Sequence, residues 1–320
     1  MNKPVFSLVV PVYQNEPNLE GTFVALLRLE TLLPEYALEL VFVDDGSRDG
    51  SFALLEQFHQ THPRLVKVVK FTRNFGQTYA IQAGLRAATG ACHGIISADL
   101  QEPPELFVEM IRHWEKGEKL VLAERADRPD RGPGRWLSAL YWRTLKYYGL
   151  KGYPKGGSDC FLIDREVAEH VARINERNTM IFALIFWLGY DFVTIPYTRR
   201  KRDAGLSQWG FFKKFKLFVD TLIAFTYLPS RAIVYLGLVS SVLTMAYAAR
   251  MVFYWYAYNQ APLGFTTIAV SVLVLGSLNL LCLGIISEYL LRILDESRKR
   301  PTYVIDRVLA PASETVPHQR

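Results

Sequence analysis

Cysteine is scarce in this chain, with three residues in 320, at Cys92, Cys160 and Cys282. A scattered, odd-numbered set offers neither a disulfide framework nor thiolate metal spacing, and it suits a reducing compartment. The six histidines form no recognisable metal-ligand or nucleophile constellation. Internal repeats are lacking, which excludes a solenoid. A secretory leader is lacking too: Met1-Asn2-Lys3-Pro4 runs straight into an apolar strand pattern, so the N-terminal part is expected to stay where it is made. The most telling absence lies late in the chain. No Asp, Glu, Lys or Arg occurs over 232–249 or over 251–287. Each stretch supplies the roughly 20 residues needed to cross about 30 Å of hydrocarbon.

What charge there is has a meaningful position. Lys and Arg number 37 against 31 Asp and Glu, a net +6. Arg199, Arg200, Lys201, Arg202, Lys213, Lys214 and Lys216 precede the first apolar stretch, and Arg298, Lys299 and Arg300 follow the second. Such flanks read as a cytoplasmic, lipid-facing collar, which argues against nucleic acid as the partner. Between the stretches, Tyr254-Trp255-Tyr256 forms an interfacial aromatic belt, and 259–264 makes a short uncharged turn. The positive-inside rule then predicts that the N-terminal part and both termini lie in the cytoplasm, with two spans in the plasma (inner) membrane. Over 209–228, Phe211, Phe215, Phe218, Leu222 and Phe225 recur at helical spacing opposite Lys213, Lys214 and Lys216. That amphipathic pattern predicts a helix lying in the membrane interface.

The first half alternates short apolar runs with helical patterns. Runs at 6–10, 40–43, 66–71 and 94–97 read as strands, and 19–33, 52–62 and 77–88 as helices. This order predicts an α/β fold with a mostly parallel, Rossmann-like sheet whose ligands gather at the strands' carboxyl ends. Asp44, Asp45 and Asp99 all fall at such ends. Carboxylates there can accept hydrogen bonds from a nucleoside or ligate a hard cation that a diphosphate completes. The expected organisation is a catalytic domain at 1–208, an interfacial helix at 209–229, a two-span hairpin at 230–292 and a tail at 293–320. The tail contains a short strand pattern, Tyr303-Val304-Ile305, with no partner evident. Two slender spans leave a large apolar surface, which allows homo-oligomerisation without setting a copy number.

Three motifs stand in order: Pro11-Val12-Tyr13-Gln14-Asn15-Glu16, Val43-Asp44-Asp45-Gly46-Ser47 and Asp99-Leu100-Gln101-Glu102-Pro103-Pro104. With Arg73-Asn74-Phe75-Gly76-Gln77, Gly157-Ser158-Asp159-Cys160-Phe161 and Arg202-Asp203-Ala204-Gly205-Leu206-Ser207, the chain resembles glycosyltransferase family 2. Within it, the pattern is similar to the polyprenyl-phosphate glycosyltransferases, including dolichyl-phosphate mannose synthases and bactoprenol glucosyltransferases. The resemblance runs from about Pro4 to Arg300 and implies a GT-A catalytic domain. It further implies that Pro11, Tyr13, Glu16, Asp44 and Asp45 line a uridine or guanosine pocket, with Ser97 beside them. Asp99 and Gln101 would hold Mg²⁺ or Mn²⁺ against the diphosphate. Relatives often carry Asp-Ala-Asp where this chain has Ser97-Ala98-Asp99. Either Ser97 contributes through its hydroxyl or a water, or the metal depends more on the diphosphate.

By the same resemblance, Arg125, Arg135 and Ser138 approach an acceptor phosphate, and Arg202 and Ser207 clamp the donor diphosphate. Asp159 comes near the transferred sugar, in a positioning or electrostatic role before a general-base one, because an ionised acceptor phosphate needs no strong base. The implied reaction is inverting transfer of a hexose, glucose from a UDP-sugar donor, to undecaprenyl or another polyprenyl phosphate. Two alternatives are a processive polysaccharide synthase and a silent nucleotide-sugar-binding membrane scaffold. The first usually carries a Gln-x-x-Arg-Trp motif, whereas here Arg135-Trp136 follows Gly132 at the required position.

Overall fold

Alternation along β1 (Val5–Val12) sends Phe6, Leu8, Val10 and Val12 into one apolar layer and Val9 into another. β2 (Ala37–Asp44) divides in the same way, Leu40 and Phe42 from Val41 and Val43. Both faces of the sheet are therefore covered, as a parallel α/β sheet requires. A computed structural model describes residues 3–126, 160–174, 181–199, 228–258 and 264–311. β3 (Val66–Phe71) and β4 (Cys92–Ile95) complete the first four strands, with α1 (Glu16–Leu32), α2 (Ser51–Thr61) and α3 (Gln77–Ala87) between them. β1 pairs in parallel with β2 and with β4, and β2 with β3. The resulting order β3-β2-β1-β4 is that of one half of a doubly wound sheet.

The remaining elements extend that half on both sides. They are α4 (Leu106–Glu115), β5 (Leu120–Arg125), β6 (Phe161–Asp164), α5 (Arg165–Arg173), α6 (Ile181–Trp187) and β7 (Val193–Tyr197). β6 inserts antiparallel between β4 and β5, and β7 runs parallel to β5. At the opposite edge β8 (Ile305–Leu309) pairs antiparallel with β3 and completes an eight-stranded sheet. The fold is α/β with a mostly parallel, mixed sheet, in keeping with the GT-A expectation.

Two strand boundaries differ from the sequence pattern. β4 spans Cys92–Ile95 rather than 94–97, because Cys92 already pairs with Phe6 and with Asp164. Beyond Ile95, the Ala98 carbonyl accepts from Asn15 Nδ2 (2.6 Å) and Thr22 Oγ1 (2.8 Å), so side chains replace the ladder there. The tail strand starts at Ile305, not Tyr303. Tyr303 is buried and stacked on Phe71 with ring centroids 4.8 Å apart, and its hydroxyl accepts from Arg86 Nη1 at 2.9 Å. Packing claims the Tyr303 side chain before pairing begins.

Away from the strands' carboxyl ends, a charged network is sealed in the sheet. Lys67 and Glu39 form an ion pair at 2.7 Å with side chains 4% and 7% exposed. Ser7 Oγ donates to the same carboxylate, as do the Thr89 amide and hydroxyl at 2.8 and 2.9 Å. Burial pushes the Glu39 carboxyl up, but the hydrogen bonds from Lys67, Ser7 and Thr89 outweigh it and hold the group below its usual range.

Contacts divide the chain into two compact units: Met1–Phe215 with Pro301–Arg320, and Lys216–Arg300. The second unit holds α7 (Leu228–Tyr258) and α8 (Phe265–Ser297), of 31 and 33 residues. At a rise of about 1.5 Å per residue, either helix exceeds the roughly 30 Å of a bilayer's hydrocarbon core. Leu243, Met245, Phe253 and Leu280 are each more than 60% exposed, an apolar surface that water does not favour. The expected interfacial helix at 209–229 lies almost wholly outside the described residues.

Candidate active site

Three loops meet at the carboxyl ends of β1, β2 and β3. Asp44 ends β2 with its side chain fully buried. Its Oδ1 accepts from the Ser47 amide at 3.2 Å, while Oδ2 has no hydrogen-bond partner among the described residues. Burial raises the Asp44 carboxyl above its ordinary value, against the opposing bonds from Ser47. The unspent oxygen can accept an N–H or O–H group, but it lies sealed behind the residues that line the neighbouring cleft.

The next residue does something else. Asp45 accepts from the Phe75 amide at 2.7 Å and the Gly76 amide at 2.9 Å, one on each oxygen. Burial pushes its pKa up to about 6 despite these two bonds. Asp45 therefore clamps the loop between β3 and α3 and does not present a free carboxylate. Gly46 lets the two loops meet. Its φ is +68°, and an added Cβ would stand 2.3 Å from the Arg73 backbone carbon.

The β1–α1 loop is tied down in a similar way. Gln14 adopts φ +48° and its amide donates to Ser47 Oγ at 2.9 Å. The Asn15 amide donates to Ser51 Oγ at 3.0 Å. Glu16 accepts from the Gly50 amide at 2.7 Å, so its carboxylate binds the Asp44–Gly50 turn. Pro11 is still in β1, in register with Val43. Tyr13, Gln14, Ser47, Arg48, Arg73 and Asn74 line a cleft of about 370 Å³ between these loops. Lys70 and Asp306 also line it.

Asp99 follows β4 in a tight turn in which Leu100 has φ +51°. The Gln101 amide donates to Asp99 Oδ1 at 3.4 Å, and Ser97, Asp99 and Gln101 are all half-buried. No cluster of three or more His, Cys, Asp or Glu side chains converges among the described residues. One carboxylate and one amide oxygen on a single turn still fit a hard cation that takes its remaining oxygens from phosphate and water.

Sequence reading missed the group behind this turn. Glu102 is fully buried and pairs with Arg199 Nε at 3.5 Å. Tyr197 Oη donates to Glu102 at 3.4 Å. Burial raises both the Glu102 carboxyl and the Tyr197 hydroxyl, the latter to about 12, with Arg199 and Arg125 respectively opposing. Arg125, at the end of β5, thus shares an electrostatic group with Glu102 and Tyr197. The sequence placed Arg199 in a lipid-facing collar, whereas here it is committed to Glu102. The available signal was an acid immediately after Gln101. Asp159, Arg135, Ser138, Arg202 and Ser207 lie outside the described residues.

The glycosyl transferase family 2 model matches residues 7–172. A bactoprenol glucosyl transferase of Shigella phage SfV is 32% identical over 302 residues, covering 93% of this chain and 97% of that one. A prophage bactoprenol glucosyl transferase homolog of Escherichia coli is 33% identical over 305 residues, covering 94% and 98%. An uncharacterized glycosyltransferase of Synechocystis is 32% identical over 300 residues, covering 93% and 94%. Among solved structures, mannosyl-3-phosphoglycerate synthase from Rubrobacter xylanophilus aligns at 15% identity with a TM-score of 0.46, over 73% of this chain and 75% of that one. An α/β domain with a cleft at the carboxyl ends of its parallel strands is what the sheet and its loops define. The chain belongs to glycosyl transferase family 2.

Proposed function

We propose that this protein is a membrane-anchored glycosyltransferase that moves glucose from UDP-glucose onto undecaprenyl phosphate, or a related polyprenyl phosphate, and releases UDP. One observation carries this reading: similarity to bactoprenol glucosyl transferases extends over nearly the whole chain, the apolar helices included. In the reaction, an ionised acceptor phosphate oxygen attacks C1 of the sugar from the face opposite the diphosphate. The bond from C1 to the diphosphate oxygen breaks, its electron pair leaves with UDP, and the configuration at C1 inverts. No proton need be removed from the attacking group.

The nucleoside end of the donor would enter the cleft beside Tyr13, and Asp44 Oδ2, sealed behind the lining, would accept from it once the Asp44–Gly50 turn yields, while Pro11 and Glu16 support the loop. Asp45 holds the facing loop closed. Asp99 and Gln101 would hold Mg²⁺ or Mn²⁺, and that cation neutralises charge on the leaving diphosphate when bound. Arg202 and Ser207 would fasten the diphosphate, and Arg125, Arg135 and Ser138 the acceptor phosphate, since guanidinium forks match phosphate oxygens. Asp159 would orient the sugar. Catalysis then rests on orientation and on charge placed where the leaving group develops it.

Connectivity supports the membrane placement. The hairpin segment 216–300 leaves from and returns to one folded unit, because β8 beyond it joins the same sheet as β1–β7. An even number of crossings leaves both flanks on one side, and the basic residues there make that side cytoplasmic. The test is purified full chain in detergent with undecaprenyl phosphate, Mg²⁺ and a panel of UDP- and GDP-sugars, read by the mass of the lipid product. A single hexosyl lipid from UDP-glucose, lost in Asp99→Ala, is expected. A different donor would correct the sugar, long polymer would select a processive synthase, and no product from any donor would refute the enzyme reading.

A further inference from the structure

The strand that closes the sheet comes from beyond the hairpin, and its pairing with β3 is irregular. Phe71 stands opposite Ile305, yet Lys70 stands opposite Arg307. One residue, Asp306, is therefore extra on β8. A bulge of this kind leaves its extra residue out of the ladder and re-aims the side chain, and bulges are over-represented beside active sites. Here the extra side chain lines the cleft with Tyr13, Ser47, Arg48 and Asn74. It also lies 3.6 Å from Lys70 Nζ while remaining 43% exposed.

The bulge is held from both directions. Tyr303 anchors the approach in the core against Phe71 and Arg86. The Thr72 amide donates to the Val304 carbonyl at 3.1 Å, and Val68 and Val69 pair with Leu309 and Val308 beyond it. A firmly docked strand with one irregular position at the mouth of a cleft has little reason to place an acid there for packing. Asp306 buries little surface, and an ion pair this exposed contributes at most about 1 kcal/mol to stability.

We propose that Asp306 is a nucleoside-binding residue of the donor site. Its carboxylate, which can only accept, takes a hydrogen bond from a donor group of the nucleoside, either a ribose hydroxyl or the uracil N3–H. Arg48, Lys70 and Arg73 supply the opposite charge around it, suited to phosphate and carbonyl oxygens. The segment following the membrane hairpin thereby completes the site that the N-terminal strands begin. This assignment rests on the nucleotide-sugar reading above and adds a residue that lies outside all the recognised motifs.

The test is calorimetric binding of UDP to the full chain in detergent with Mg²⁺, comparing wild type, Asp306→Ala and the neighbouring control Arg307→Ala. Asp306→Ala is expected to bind UDP on the order of 10-fold more weakly, the loss of one hydrogen bond to a charged group. The donor KM should rise by a similar factor at nearly unchanged kcat, while the nucleotide-free melting temperature and Arg307→Ala stay at wild-type values. 2′-Deoxy-UDP, 3′-deoxy-UDP and N3-methyl-UDP separate the sources: the analogue lacking the bonded group binds wild type weakly and loses nothing further in Asp306→Ala. UDP binding to Asp306→Ala at wild-type strength would overturn the assignment alone. So would an equal loss in Lys70→Ala that the double variant does not deepen, since Asp306 would then act only by placing Lys70. A wild type that binds neither UDP nor GDP would overturn the nucleotide-sugar reading, and the assignment with it.

Discussion

Replacing Asp45 with Asn tests the loop clamp, because the two variants differ in charge and hardly in shape. The carboxylate is 3% exposed and accepts one backbone amide on each oxygen. Its pKa stands at about 6 in the fold against an ordinary 3.8. Because the folded value is the higher one, the stability it contributes is complete below the ordinary value and is lost as pH rises through about 6. Between pH 8 and pH 5 this amounts to about 1.4 kcal/mol of stabilisation on acidification. Asp45→Asn cannot show it. His93, buried and lowered to about 4, acts in the opposite direction over the same window, but equally in both proteins.

The assay is denaturant unfolding of the catalytic unit, followed in the full chain at both pH values, with UDP titration alongside. Wild type should gain about 1.4 kcal/mol relative to Asp45→Asn on moving from pH 8 to pH 5. At pH 8 the variant removes a disfavoured buried charge but loses one acceptor, so its stability should stay within about 1 kcal/mol of wild type. Its UDP affinity should still fall several-fold, because the Asn side-chain N–H₂ faces an amide and frees the loop that bears Arg73 and Asn74. Parallel pH profiles for the two proteins would refute a buried ionised clamp.

Three further outcomes follow from the same geometry. Lys67→Ala leaves Glu39 charged and sealed, and should destabilise the catalytic unit by about 3–5 kcal/mol in equilibrium unfolding. Gly46→Ala forces a Cβ against the Arg73 backbone at a positive φ; it should lower stability by at least about 1 kcal/mol and weaken UDP binding in the same titration. Tyr303→Ala empties a core position that is 1% exposed. By analogy with other aromatic truncations it should cost about 3–5 kcal/mol, read as an earlier unfolding midpoint, and expose the β3 edge to hydrogen exchange.

Much of the architecture was legible from local pattern. The β-branched runs and 3.6-residue periodicities placed β1–β3 and α1–α3 to within a few residues, and apolar length alone marked α7 and α8. That Asp44, Asp45 and Asp99 fall at or beyond strand ends was equally a property of short stretches of chain, because the residues that end a strand are its immediate neighbours in sequence. β5, β6 and β7 were not picked out, since their pairing joins segments far apart in the chain.

Side-chain assignment was decided only in three dimensions. Asp44 and Asp45 are neighbours with the same chemistry, yet the turn out of β2 leaves one Asp44 oxygen unspent behind the cleft and spends both Asp45 oxygens on the Phe75 and Gly76 amides. Arg199 belongs to a run of basic residues that looks uniform on paper, and only the buried Glu102 singles it out. The tail announced a strand but not its edge, register or bulge, so nothing in 301–309 as a string placed Asp306 beside Tyr13. Periodicity and composition are set by residues a few positions apart and can be read along the chain. Which edge a strand joins, and which way a bulged side chain then faces, depends on partners more than 200 residues away in sequence (Phe71 and Ile305), and only the folded sheet brings them together.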